Sequence, residues 1–475
     1  MENKGYGNFS FIYQINPSIY AYLSTVERQA RINVNASLCN SIRQAMEVYI
    51  HDVIRQNNLE AFVPIEKTLW EQICLLKSPR KLRESGYQGP NIKKLLACNR
   101  FDAKQGKPLD TVKYEVNGSD DTTHEKEDSY YKFICELGNA ASHPEPRTGD
   151  AKLNYTNTIT ALKCFYQILR YHYRDAIPHQ VSAKFEEDKM PIGEYIIDKA
   201  EIPSDKALSK CVREFRAHTV GVDGEPEFYA LLRMYKRSEV DTEFMLRNYT
   251  CFKEASKVSF RNVPDGMAQL QALTPMHSDS EFYIISYIFN RQTDLLSNSL
   301  LQKINMKQRL ELCRGLVQCL DNLHHSKTPI FHRMLNCGSI YLNQFDDIWI
   351  PYIVKFDFAK IQRDGVGTVK VQAADANLLI QATKNLIYLP PEWRCTSSDA
   401  PNLDWEKVDV FSLGAVMSMI LSGNTTRAVL PTTGELMKAG VSASVIEMLV
   451  QMLDDDPDAR LSLQNVREML NREVG

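Results

Sequence analysis

The sequence predicts a multidomain chain: an all-α helical bundle over residues 1–180, then an α+β domain of two lobes over residues 191–475. Three observations predict it. At 475 residues the chain is too long for one ordinary domain, since domains run to roughly 100–200 residues. The apolar residues keep a helical period up to about residue 180, turn strand-like after Pro191, and become helical again after Leu300. Within the second part, strands come first and helices follow, which is the order of an α+β domain.

The elements follow in chain order. Leu38, Ile42, Ala45, Met46, Tyr49, Ile50 and Val53 recur at the spacing of one helical face. Phe133, Ile134, Leu137, Ala140 and Ala141 make a second stripe. Leu153, Ile159, Leu162, Phe165, Tyr166 and Leu169 make a third. Between the first two, residues 101–128 are polar and turn-rich and read as a long mobile loop. His179 to Met190 is charged and has no stripe, so residues 181–190 read as the linker between domains. EYIID, VREFRAH, FYALLRMY and FYIISYIF, rich in aromatic and branched residues, predict strands of a small lobe over about 191–290. Leu310, Cys313, Leu316, Leu320 and Leu323 line a long helix in a large lobe over about 291–475.

Composition excludes several classes. Apolar residues make up 44% and charged residues 24%, an ordinary globular balance. Residues 1–190 carry 25 Lys+Arg against 23 Asp+Glu and the remainder 31 against 36, so neither half is a polycation that coats nucleic acid. The eleven cysteines form no C-x-x-C pair and no Cys/His zinc spacing, which reads as reduced thiols in a cytoplasmic protein. The N-terminus lacks the apolar core of a secretory signal. The most apolar run, Val410 to Leu421, is twelve residues and too short to span a bilayer.

Five ordered motifs in the second part resemble those of protein kinases. His332-Arg333-Met334-Leu335 follows a long helix, where kinases carry His-Arg-Asp-Leu, and Asp357-Phe358-Ala359 is similar to their Asp-Phe-Gly. Tyr388-Leu389-Pro390-Pro391-Glu392 resembles the Ala-Pro-Glu end of an activation segment. Val408 to Gly414 is similar to the start of the buried central helix, and Asp456-Pro457-Asp458-Ala459-Arg460 to the Asp-Pro-x-x-Arg near the end of the fold. The resemblance implies that His332, Phe358 and Asp409 organise the large lobe and that Glu392 and Arg460 form a buried ion pair.

The chemical positions differ from the family's. Phosphoryl transfer needs a cradle of backbone amides, a lysine on the phosphates, ligands for metal and a base near the acceptor hydroxyl. Glu194 to Val220 contains no glycine, so the turn at 200–210 lacks the residue that lets backbone approach phosphate. Leu232 stands where the lysine is expected, and Lys236, on the same strand face, is about 13 Å along and reads as a strand-end charge. Its partner in the family, a helical glutamate, aligns with Glu254. Met334 replaces the base, Asn336 the lysine near it and Ser339 the amide that holds the second metal. Only Asp357 is kept, read first as a fold-organising carboxylate, and Arg333 as a local pairing. The pattern is that of a pseudokinase, and neither ATP nor magnesium nor another cofactor is expected.

In the first part, Cys135 to Pro144 contains Gly138-Asn139 and His143, and resembles the Gly-Asn-x-x-x-His signature of a prokaryotic branch of HEPN domains. Ser41 to Glu47 is similar to that branch's first core helix, and the resemblance covers about residues 15–178. Nucleolytic HEPN domains carry an arginine separated from the histidine by four to six residues; here those positions are Glu136, Leu137 and Gly138. His143 and Asn139 are the candidate pair of this part. The sequence reads His143 first as a helix-end histidine bonding backbone, and leaves open whether Arg43 approaches it.

Together these resemblances imply a regulatory or binding protein in which a HEPN-like module is fused to a pseudokinase, and by association a prokaryotic stress or antiviral defence role. They imply a protein partner, RNA as a further partner of the HEPN-like part, a homodimer through that part, and no membrane. Two other readings stay open: a HEPN-type ribonuclease regulated by the kinase-like half, and an atypical active kinase.

Overall fold

The structure, a computed structural model, describes residues 5–89, 112–118, 124–126, 130–143, 145, 147–178, 180–201, 212–221, 224–240, 250–251, 253–255, 257, 269–274, 280–346, 348–361, 383–394 and 403–474. Among them, the first part of the chain is built on helices α1 (Pro17–Gln29), α2 (Ala36–Gln56), α3 (Leu69–Lys77), α4 (Pro79–Glu84), α5 (Tyr130–Ser142) and α6 (Tyr155–His172). Asn16, Asn35 and Asn154 begin α1, α2 and α6 by accepting a backbone N–H of the first turn. Thr68 and Glu71 cap α3 reciprocally. The stripe read on α2 is buried from Leu38 to Val53, and α2 packs between α1 and α5, with α5 also against α6.

The stretch read as a long mobile loop holds structure. β1 (Val112–Tyr114) pairs antiparallel with β2 (His124–Lys126), and Val116 bridges Ala151. Val112 and Tyr114 point inward around exposed Lys113, an alternation too short to stand out in a polar sequence. Residues 101–111, 119–123 and 127–128 of that stretch lie outside the described ones.

A five-stranded sheet runs in the order β3-β4-β5-β7-β6, from β3 (Ile196–Glu201), β4 (Val212–Val220), β5 (Pro226–Lys236), β6 (Gln269–Ala272) and β7 (Phe282–Phe289). Then come β8 (Asp294–Leu295), α7 (Asn298–Leu301), α8 (Met306–His324) and β9 (Ile330–Phe331). β10 (Ile340–Phe345) and β11 (Ile348–Ile353) form an antiparallel hairpin, and β12 (Lys360–Ile361) pairs with β9. Helices α9 (Pro391–Arg394), α10 (Trp405–Ser422), α11 (Thr433–Lys438), α12 (Ala443–Met452) and α13 (Leu463–Val474) follow. α10 is buried continuously from Val408 to Leu421, which is why its sequence is apolar all round. α8 packs against α10, α13 and β11. A methyl added at Gly414 would lie 2.9 Å from Met452 Cβ, so glycine sets how closely α10 and α12 approach.

The chain divides into two compact units. The first is Met1–Ala200 with His218–Glu225 and Ser278–Phe282; the second is Glu201–Ala217, Pro226–His277 and Tyr283–Gly475. Residues 181–190, read as a linker, fall inside the first unit. There Glu186 N–H donates to Asn8 Oδ1 at 2.7 Å, and Asn8 Nδ2 donates to Glu186 O at 3.0 Å. Side-chain bonds to the backbone anchor this segment, and apolar periodicity does not report them.

Candidate functional site

Asp409 of α10 fixes the loop after β9. Its carboxylate, fully buried, accepts the backbone N–H of His332 at 2.7 Å and of Arg333 at 2.6 Å, and takes a bond from His324 Nε2 at 2.9 Å. His332 Nε2 in turn donates to Val354 O at 3.1 Å. Burial holds the His332 imidazole below its usual range, against the pull of Asp409. Arg333 sits in the left-handed region at φ 65°, with its guanidinium 4.6 Å from the ring centre of Trp393 and 4.3 Å from that of Trp405. Lys360 lies over the same Trp405 ring at 4.7 Å, and burial, then Arg333, bring its amine down to about 8.

The residues at the resembling family's chemical positions make local contacts. Met334 and Phe358 are buried in the hydrophobic core. Asn336 and Ser339 cap a short 3-10 turn together: Asn336 Oδ1 accepts Gly338 N–H at 2.8 Å, and Ser339 Oγ accepts Asn336 N–H at 3.0 Å. Leu232 is fully buried within β5. Lys236 pairs with Glu239 at 3.4 Å, and Glu254 with Lys257 at 2.7 Å. Of the glycine-free turn, only Ala200 and Glu201 are among the described residues.

Asp357 is enclosed by side chains that sequence reasoning passed over. Arg233, one residue beyond Leu232 and on the opposite face of β5, puts Nη1 on Asp357 Oδ2. Tyr235, two residues on and on Arg233's face, donates its hydroxyl to Asp357 Oδ1. Arg233 Nε donates to Glu214 Oε1 of β4 at 3.0 Å, and Lys355 Nζ to Glu214 Oε2 at 3.0 Å. Arg233, Glu214 and Asp357 are each at most 3% exposed. Burial acts to raise the Asp357 carboxyl, but the Arg233 guanidinium and the bonds from Arg233 and Tyr235 hold it below the usual carboxylate range. The available signal was an arginine between Leu232 and Met234 in an apolar strand, with a tyrosine two residues later.

Glu392 and Arg460 meet as the motifs implied. The guanidinium grips the carboxylate through Nη1–Oε1 at 2.6 Å and Nη2–Oε2 at 2.9 Å, and it donates to the carbonyls of Asp454, Asp455 and Lys407 as well. Ser412 Oγ of α10 donates to Tyr388 O at 2.7 Å, tying the preceding segment to the same helix.

In the first unit, Gly138 of α5 faces Arg43 of α2 so closely that an added methyl would lie 2.5 Å from Arg43 Cβ. Arg43 then extends along α5: Nη1 lies 3.3 Å from both Asn139 Oδ1 and Ser142 Oγ, while Nε pairs with Glu47 at 3.0 Å. Asn139, Ser142 and His143 are exposed, and His143 N–H donates to Ala140 O at 3.4 Å. The fold therefore places an arginine from another helix beside Asn139 and Ser142, the latter next in chain to His143.

Part of the chain is similar to known proteins. No protein-family model matches the chain. It is 28% identical over 161 residues to the leucine-rich repeat receptor protein kinase MSP1 of Oryza sativa subsp. japonica, covering 33% of this chain and 11% of that protein. It is 24% identical over 283 residues to a probable LRR receptor-like serine/threonine-protein kinase of Arabidopsis thaliana, covering 54% and 25%. Cysteine-rich receptor-like protein kinase 42 of Arabidopsis thaliana is 27% identical over 174 residues, covering 36% and 24%. The chain is kinase-like over part of its length. It spans a quarter or less of the length of these curated relatives. Among the described residues, no helix of this kinase-like chain is long and apolar enough to cross a membrane.

Proposed function

We propose that the kinase-like second unit is a pseudokinase and that the chain is a regulatory or binding protein. The observation that carries this is the state of Asp357: both oxygens are bonded within the protein, one to Arg233 and one to Tyr235. A magnesium-bound nucleotide does not fit residues so arranged. Asn336 and Ser339 bond each other, and Met334 offers a thioether where a proton acceptor is needed. Loss of a general base alone lowers a rate by roughly 10²–10⁴. The test is incubation of the purified chain with labelled ATP and magnesium. No labelled product is expected, and autophosphorylation that vanishes in Asp357→Ala would overturn the reading.

On the same proposal the first unit is a HEPN-like module that recruits a protein partner or a second copy of the chain, in a cytoplasmic setting. The HEPN resemblance is what connects the proposal to prokaryotic stress or antiviral defence.

A second reading is favoured by the placement of Arg43. A guanidinium held at Asn139 and Ser142, with an exposed imidazole next in sequence, supplies a phosphate clamp and a proton shuttle for RNA cleavage. Wild type, Arg43→Ala and His143→Ala should be incubated with total cellular RNA and the fragment ends mapped. Cleavage by wild type, lost in a normally folded His143→Ala, would establish this reading over a pure binding module.

A further inference from the structure

We propose that Arg233 is the resident cation of the second unit's Asp357 site, and that Lys355, Glu214, Arg233 and Asp357 form a ligand-independent latch joining β4 and β5 to the segment between β11 and β12. The inference deepens the non-catalytic reading above and rests on it.

Four charges alternate in sign along this chain of contacts. Lys355 meets Glu214, Glu214 meets Arg233, and Arg233 meets Asp357. Two cations balance two anions, so the cluster is neutral without any ion from solution. That balance matters because the inner three side chains are cut off from water, where an uncompensated charge is strongly disfavoured. Arginine suits the place: it stays charged when buried, and its planar fork reaches two carboxylates at once through Nε and Nη1. Tyr235 completes the carboxylate's bonds, and Tyr287 Oη accepts the N–H of Phe356 at 3.2 Å, tying the adjacent backbone to β7. Lys355 adopts φ 67°, a left-handed backbone that a side chain with Cβ rarely takes. Its bond to Glu214 is a contact able to hold that conformation.

A divalent cation on Asp357 would face the fixed positive charge of Arg233, so metal and latch exclude each other. If the guanidinium is removed, Glu214 and Asp357 are left as two carboxylates around the volume it filled, an oxygen-lined hole of the kind that hard cations occupy.

The test follows the melting of the full chain with and without millimolar magnesium chloride, without nucleotide. Wild type should be indifferent to the salt beyond a sodium chloride control of matched ionic strength. Arg233→Met should melt lower, and either magnesium or the second change Asp357→Asn should bring it back towards wild type, because Asp357→Asn removes the uncompensated negative charge and magnesium supplies a cation between the two carboxylates. A lowered melting point recovered by neither would mark Arg233 as packing only and overturn the proposal. So would an unchanged melting point in Arg233→Met, or a magnesium-stabilised wild type. Should Arg233→Met fail to fold, the double variant must still fold; its failure would overturn the proposal too. Phosphate transfer by the wild type, measured separately with ATP, would instead overturn the non-catalytic reading, so the two failures are told apart.

Discussion

Glu27 shows how one residue can set a pH dependence. It is fully buried on α1, with Oε1 accepting the Asn8 backbone N–H at 3.1 Å and Asn8 Nδ2 at 2.8 Å. Burial pushes its carboxyl from 4.5 up to about 7, against those bonds from Asn8 and the nearby Arg31. A carboxyl raised in the folded state binds its proton more tightly there than in the unfolded chain. Its contribution is therefore greatest below pH about 4.5 and is lost as pH rises through about 7. At about 1.4 kcal/mol per unit, the difference amounts to roughly 3 kcal/mol. Glu27→Gln keeps an acceptor for Asn8 and removes the titration. Stability of wild type relative to Glu27→Gln should fall across this window in chemical denaturation at a series of pH values; a constant difference would contradict it.

At the scale of elements, close approach and ion pairing each give a measurable consequence. Gly138→Ala puts a methyl 2.5 Å from Arg43 Cβ, an atom next to the α2 backbone that cannot swing aside. The helices must separate, at a cost of about 1–3 kcal/mol in urea denaturation of the chain. The same variant should disturb the Arg43 contacts to Asn139 and Ser142. In the second unit, Arg460 is fully buried at its side chain and bidentate to Glu392. Glu392→Ala and Arg460→Ala should each destabilise by roughly 3–5 kcal/mol, because each leaves the partner charge of a largely buried pair uncompensated. The double variant should cost less than the sum. Strict additivity would show that the two residues are not coupled.

For the whole molecule, the expected behaviour is indifference to nucleotide. A ligand at 100 times its dissociation constant stabilises by about 2.7 kcal/mol, which a melting curve registers. Millimolar ATP with magnesium should leave the melting temperature of the chain unchanged, since Asp357 is bonded to Arg233 and Tyr235. A reproducible rise of several degrees would refute this.

The sequence by itself determined the elements that repeat and the motifs that stay together. Stripes on α2, α5 and α6 follow from helical period, and α10 was recognisable because Val408 to Gly414 resembles the start of the buried central helix of protein kinases. The meeting of Glu392 with Arg460 was legible too, because both lie in motifs of fixed order. The β1–β2 hairpin was not: three-residue strands leave too little alternation to detect in a polar stretch. Neither was Arg233, since reading by motif looked for a cation at Leu232 and the side chain that faces Asp357 comes from the next residue, on the other face of β5. Arg43 reaches Asn139 and Ser142 from 96 and 99 residues away. Contacts of that kind depend on which faces of two elements are brought together in space. Period and spacing along the chain report each face separately, and only packing decides which charges share it.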